Sequence, residues 1–279
     1  MGYTEFDFTL NPDTSENREI LVSYLDDIGF ESYWEEDDVI HAYLPTNKYN
    51  PEKFKVLSEE IKPLFSIDYK TDQLEDKNWN ELWESNFNPV YINDQCIVRA
   101  PFHDPVPDIP YELIIQPQMS FGTAHHETTA MVLDLMTSMD IKNKDVLDMG
   151  SGTGVLAILA KIKGANKVVA VDNDEWAVGN TQENIRKNNQ EIDVLQGDVD
   201  ILTNYTFDLI LANINRNILL NHIPSYSKIL SPNATIIFSG FYTEDLDSIR
   251  TMAEKFGLNL INYTSKNNWV AAVFTAKES

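Results

Sequence analysis

The run Asp145-Val146-Leu147-Asp148-Met149-Gly150-Ser151-Gly152-Thr153-Gly154 passes from a short apolar strand into a glycine turn, and Val155 to Lys163 then carries a helical pattern. A strand, a glycine turn and a helix in that order leave the backbone bare at the carboxyl end of the strand, where open α/β sheets bind nucleotide-like ligands. A second apolar run, Lys167 to Val171, ends on Asp172. An ionised carboxylate offers only acceptors, so an acid at that point can hold both hydroxyls of a ribose. The segment from Asp145 to Asp172 therefore points to an adenosine-containing ligand. Its spacing is G-x-G-x-G, whereas the dinucleotide fingerprint is G-x-G-x-x-G, and the chain has no G-x-x-x-x-G-K-[ST] phosphate loop. Both a dehydrogenase and P-loop nucleotide chemistry are disfavoured.

Downstream the alternation continues. Helical spacing covers Asp174 to Asn188, Asn217 to Leu230 and Glu244 to Phe256, and strand patterns cover Ile192 to Gln196, Phe207 to Ala212 and Ala234 to Ser239. Two closing strands, Leu258 to Thr264 and Trp269 to Thr275, form a hairpin through Ser265-Lys266-Asn267-Asn268. Such an order predicts a mainly parallel sheet with one antiparallel strand near its end. Upstream of the glycine turn, Val90 to Gln116 is proline-rich and reads as loops and short edge strands, among them Cys96 to Ala100 and Leu113 to Gln116. A helix then runs to about Met139.

The first 70 or so residues follow a different plan. Tyr3 to Leu10 alternates as a strand, and Thr14 to Ile28 has helical spacing, with Thr14 or Ser15 as its cap and Gly29 as its stop. Phe30 to Trp34 and Val39 to Leu44 flank the acidic turn Glu35-Glu36-Asp37-Asp38, a helix starts at Pro51, and a last strand covers Phe65 to Tyr69. The order βαββαβ is that of a ferredoxin-like unit. A polar stretch from Thr71 to Lys77 leads into Asn78 to Phe87, where Trp79, Trp83 and Phe87 recur every four residues on one face of a connector helix. Residues 1–72, 73–95 and 96–279 are thus expected to be a small α+β domain, a linker and an α/β domain.

With 279 residues, 43% of them hydrophobic and 23% charged, the chain has the composition of a soluble globular protein. It lacks an apolar run of the ~18 residues that span a bilayer, and its start lacks the basic and apolar regions of a secretory signal. A cytoplasmic protein, and a monomer without membrane contact, is the expectation. The net charge of −23 is spread along the chain and disfavours direct binding of DNA or RNA while favouring a basic partner. Cys96 is the single cysteine and reads as a small buried hydrophobe. His125 and His126 are adjacent, do not share a helix face and have no third ligand at a recognisable spacing, so no metal is expected.

From about residue 110 onward the chain resembles the class I methyltransferases that use S-adenosylmethionine, which implies a Rossmann-like, mainly parallel seven-stranded sheet. The resemblance places Gly150 and Gly152 beneath the methionine part of the cofactor, Asp172 on the ribose, Asp198 near the adenine amino group, and Asn213 beside the transferable methyl. A narrower resemblance is carried by Phe121-Gly122-Thr123-Ala124-His125-His126-Glu127-Thr128-Thr129, the aromatic connector and the small first domain. These are similar to the PrmA family, which methylates the terminal amine and certain lysines of ribosomal protein eleven of the large subunit. The likeness implies that Thr129 contacts the cofactor and that the first domain captures the substrate; Phe121 is a candidate cofactor contact with packing beneath the loop as its alternative. Ala124 stands where the family has glycine, which matters if that position needs a positive φ.

Methyltransferases acting on flat amides or bases commonly follow the Asn213 position with Pro-Pro and an aromatic. Here the run is Asn213-Ile214-Asn215-Arg216, which favours an aliphatic amine as acceptor. The rivals are a nucleic-acid methyltransferase sharing the cofactor domain and a noncatalytic ribosome-associated binding module.

Overall fold

The computed structural model describes residues 3–36, 38–74, 87–117 and 120–277. Asp37 of the acidic turn, Trp79 and Trp83 of the expected connector helix, and Met119 lie outside them. The chain divides into two compact units, Met1–Phe87 and Asn88–Ser279.

In the first unit, β1 (Tyr3–Asn11), α1 (Ser15–Ile28), β2 (Ser32–Glu36), β3 (Val39–Pro45), α2 (Pro51–Ile61) and β4 (Ser66–Leu74) follow one another. The sheet order is β2-β3-β1-β4, with every neighbouring pair antiparallel. Alternate residues of β1 and β3, namely Phe6, Phe8, Leu10, Ile40, Ala42 and Leu44, share one core with Leu21 and Leu25 of α1 and Phe54, Leu57 and Ile61 of α2. Each of these side chains larger than alanine contributes roughly 1.5–3 kcal/mol on burial. The Thr14 hydroxyl accepts the Asn17 amide at 3.2 Å and Gly29 ends α1 at φ +103°, so both expected helix signals operate.

Two strands differ from expectation. β2 begins at Ser32 and takes in Glu35 and Glu36, paired with Ile40 and Val39. It is an edge strand, where charged side chains meet water at little cost. β4 runs to Leu74, paired with β1 along its whole length, so the polar stretch from Thr71 starts as strand. A ladder with one wetted face needs no apolar run.

The second unit opens with β5 (Val90–Asn93), β6 (Cys96–Arg99) and β7 (Tyr111–Ile114); the short strands expected at Cys96 and Leu113 are present, the second of them starting two residues earlier, and with β5 they join in a three-stranded sheet whose centre is β6. There follow α3 (Glu127–Ser138), β8 (Asp145–Met149), α4 (Val155–Ile162), β9 (Lys167–Asp172), α5 (Glu175–Lys187), β10 (Asp193–Gln196), β11 (Phe207–Asn213), α6 (Arg216–Ile229), β12 (Leu230–Tyr242), α7 (Leu246–Lys255), β13 (Leu258–Lys266) and β14 (Trp269–Ala276). The seven-stranded sheet has the order β10-β9-β8-β11-β12-β14-β13, parallel except for β14. The closing turn is only Asn267 and Asn268, at φ +49° and +67°, a conformation that asparagine tolerates.

Consecutive residues of the central strands face opposite ways. Val146, Val168 and Leu209 pack under α3 and α4, while Leu147, Val169 and Ile210 pack under α6 and α7. The chain moves outward from β8 to β10 and then returns to add β11 on the other side of β8. That reversal opens a crevice at the carboxyl ends of β8 and β11, where ligands of open α/β sheets bind.

Candidate active site

A cleft of ≈ 1280 Å³ lies at this edge of the sheet. Gly150 and Gly152 follow β8 into it, Asp172 ends β9, Asp198 follows β10, and Asn213 ends β11. Phe121 also lines it, so six of the seven expected site residues meet on one cavity. Thr129, 1% exposed, lies behind it.

The glycine turn is built for close approach. Gly150 and Gly152 take φ +74° and +55°. A Cβ on Gly150 would come within 2.2 Å of the Ile214 side chain, and one on Gly152 within 2.3 Å of the Phe121 carbonyl oxygen. The Thr153 amide donates to that same carbonyl at 2.9 Å, and the Thr153 hydroxyl to the Gly122 carbonyl at 2.7 Å, which ties the Phe121 loop to the turn.

Asp172 is fixed by its own backbone surroundings. Its Oδ2 accepts the Gly152 amide at 2.9 Å and its Oδ1 the Asp174 amide at 3.1 Å. Each carboxylate oxygen carries two lone pairs, so capacity remains for two ribose hydroxyls. Asp198 Oδ1 accepts the Val199 amide at 2.6 Å and lies 3.1 Å from His222 Nε2, and the side chain borders the cleft.

Asn213 is the most informative residue. Its Nδ2 donates to the Thr129 hydroxyl at 3.2 Å, while its buried Oδ1 has no hydrogen-bond partner among the described residues. A buried acceptor left unpaired costs roughly 1–3 kcal/mol, and such an atom on a cleft wall is one that a ligand N–H can satisfy. Thr129 thus reaches the site through Asn213, whose amide it orients.

Beneath the turn, Asp148 is wholly buried. Its Oδ2 accepts the Ala157 amide at 3.0 Å and its Oδ1 has no partner among the described residues. Burial, against the opposing Ala157 amide and with the nearby Asp172 charge, pushes its carboxyl up to about 7. It acts on the backbone, as a structural acceptor.

The sequence reading missed an aromatic wall. Phe121 meets His126 edge-on at 4.9 Å, His126 meets Trp269 at 4.7 Å, and Trp269 lies against Tyr242 at 4.1 Å. His126 Nδ1 also accepts the Thr128 amide at 3.3 Å and caps α3, whereas His125 turns away, its Nε2 3.0 Å from the Asn88 carbonyl. Trp269 opens the last strand, far along the chain, and no motif marks it. Trp176, Ile218 and His222 line the cleft as well and were not singled out. Elsewhere, in the first unit, Glu5, Asp7 and His41 bring three possible ligand atoms within 4.8 Å, but His41 Nδ1 is already 2.7 Å from Asp7 on a partly exposed sheet face.

The sheet order, the switch point and the acid closing the second strand define a class I methyltransferase, whose methyl donor is S-adenosylmethionine. The residues fit that donor: a turn no Cβ could enter, a carboxylate with spare lone pairs and an unsatisfied amide oxygen. The chain belongs to the ribosomal protein L11 methyltransferase (PrmA) family, whose profile matches residues 9–277. It is 46% identical to the ribosomal protein L11 methyltransferase of Porphyromonas gingivalis, over 97% of this chain and 96% of that one. The enzyme of the same description from Phocaeicola vulgatus is 42% identical over 99% of this chain and all of its own. Among solved structures, the ribosomal protein L11 methylase of Lactobacillus delbrueckii subsp. bulgaricus aligns with a TM-score of 0.65 at 25% identity, covering 69% of this chain and 100% of that one.

Proposed function

We propose that this protein transfers methyl groups from S-adenosylmethionine to the α-amine and lysine amines of ribosomal protein L11. The observation that carries the reading is the unpaired Oδ1 of Asn213 at the switch point. Phe121, Gly150, Gly152, Asp172 and Asp198 hold the cofactor, and Thr129 aims Asn213, which borders both cofactor and acceptor. Residues 1–72 recognise the protein substrate, 73–95 link and lend the second unit its strand β5, and 96–279 catalyse. The enzyme works as a monomer in the cytoplasm, without contact to DNA or a membrane; no helix among the described residues is long and apolar enough to cross one.

Bound S-adenosylmethionine supplies an activated methyl on a sulfonium. What the protein must provide is a free lone pair on the acceptor nitrogen, because an α-amine titrates near ~8 and a lysine near ~10.4. Ile214 and the aromatic wall place apolar surface beside the acceptor, and partial desolvation there lowers an amine's pKa toward the neutral form. Asn213 Oδ1 accepts one N–H of that amine and points the lone pair at the methyl, so the contribution is chiefly orientation. A net charge of −23 suits a lysine-rich partner.

Asn213→Ala tests the assignment. Methyl transfer to L11 is expected to fall on the order of a hundredfold, the scale set by misplacing one reacting group, with calorimetric affinity for the cofactor changed far less. Undiminished turnover in a variant that binds cofactor normally removes Asn213 from the mechanism.

A further inference from the structure

The ring of Trp176 stands on the first turn of α5 at the rim of the cleft, and at 85% exposure it is the most exposed large hydrophobic side chain among the described residues. Its backbone is fixed, since its amide donates to Asp174 Oδ1 at 2.8 Å. The position in the cleft is specific. Trp176 follows Asp172 by four residues, on the side of β9 that adjoins Gly197 and Asp198 beyond β10. From the opposite face of the sheet, α6 brings Ile218 and His222 to the same cavity. The nucleoside end of the cleft is therefore bordered by a flat indole from one helix layer and by an aliphatic and an imidazole side chain from the other.

Given the cofactor reading above, on which this inference rests, the direction of the ligand is set. Asp172 takes the ribose, and Asn213, two strands away in the order β9-β8-β11, must face the reactive carbon. The base then has only the other direction to go, toward β10. We infer that Trp176 stacks on the adenine of bound S-adenosylmethionine and closes that end of the cleft from water. Stacking between a base and an aromatic side chain tolerates any flat heterocycle, so it adds affinity while the polar groups at Asp198 select the base.

The experiment is calorimetric titration of S-adenosylmethionine and S-adenosylhomocysteine into the full-length protein, Trp176→Ala and Trp176→Phe. Trp176→Ala is expected to weaken both ligands about tenfold, within the range for losing one base–aromatic stack. Trp176→Phe, which keeps an aromatic face, stays within about threefold of the parent. The chain holds five tryptophans, so the loss in Trp176→Phe of a fluorescence change that the parent shows on binding identifies the ring. In steady-state kinetics the loss appears in KM for the cofactor and leaves KM for the protein acceptor where it was. Equal cofactor affinity in Trp176→Ala overturns the inference, and so does a defect confined to the acceptor KM, which would make the ring a docking residue. A parent protein that takes up neither ligand removes the cofactor reading and this one together, whereas a parent that binds while Trp176→Ala binds equally well removes this one alone.

Discussion

Ala124 sits at φ +66° with 1% exposure, a left-handed backbone held by an L residue inside the loop that carries Phe121 and His126. A Cβ in that region costs roughly 1–2 kcal/mol, and Ala124→Gly should recover up to about 1 kcal/mol once glycine's extra unfolded-state freedom is subtracted. Thermal denaturation checks it; a lower Tm for Ala124→Gly would mean that the methyl group is needed for packing. Asp148 gives a pH dependence. Its folded-state carboxyl, at about 7 instead of the ordinary 3.8, is raised, so its contribution to stability is fully present below the unfolded value and is lost as pH rises through about 7. Urea midpoints of the cofactor-free protein at pH 5 and pH 8 should therefore differ less in Asp148→Asn than in the parent; identical differences would mean that Asp148 does not titrate in this range. At this scale the strand-end residues Gly150, Asp172 and Asn213 were legible, because a residue closing a parallel strand is placed by the strand itself. Trp176, His126 and Trp269 were not, since what brings them to the cleft is packing between segments far apart in the chain.

Among the elements, α5 does the least expected job. Its inner face is partly polar: beside Ala177 and Ile185, Asn180, Thr181 and Asn184 are buried at 2%, 0% and 0% exposure. Asn184 donates to the Thr153 carbonyl at 2.9 Å and accepts the Gln116 amide at 2.8 Å, and the Thr181 hydroxyl donates to the Gly152 carbonyl at 2.9 Å. Asn188 answers both the amide and the carbonyl of Ile114, at 2.9 and 2.7 Å, as a neighbouring strand would. The helix thus satisfies the backbone of the glycine turn and of β7, which loops cannot do for themselves when buried. Asn184→Leu takes the partner from three groups, the Thr153 carbonyl, the Gln116 amide and Asn180 Oδ1, and should cost roughly 2–4 kcal/mol in urea unfolding, while exposed Gln182→Ala stays within about 0.5 kcal/mol. Comparable losses in the two variants would deny α5 this role. Helix limits were readable where a cap such as Thr14 stands, but apolar periodicity cannot reveal polar side chains buried on an inner face.

For the whole molecule, the two-part plan and the parallel sheet with one reversed strand could be read from element order alone, because connection rules leave few alternatives. The extent of β4 could not, since its outer residues are polar. The charge of −23 belongs to this scale too. It predicts that KM for a basic protein acceptor rises with added salt while the affinity for S-adenosylmethionine hardly changes, because screening acts on long-range attraction between the two macromolecules; a salt-independent KM would place recognition in uncharged contacts. The central claim, that a methyl donor lies across the strand tips with its reactive carbon facing Asn213 and an L11 amine, is tested most directly by incubating unmethylated L11 with the protein and labelled S-adenosylmethionine and mapping the product by mass spectrometry. Whole methyl increments on the terminal amine or on lysines of L11, formed far more slowly by Asn213→Ala, are the result expected. Label on RNA or on a side-chain amide, or none on L11 from protein that binds the donor, would contradict it.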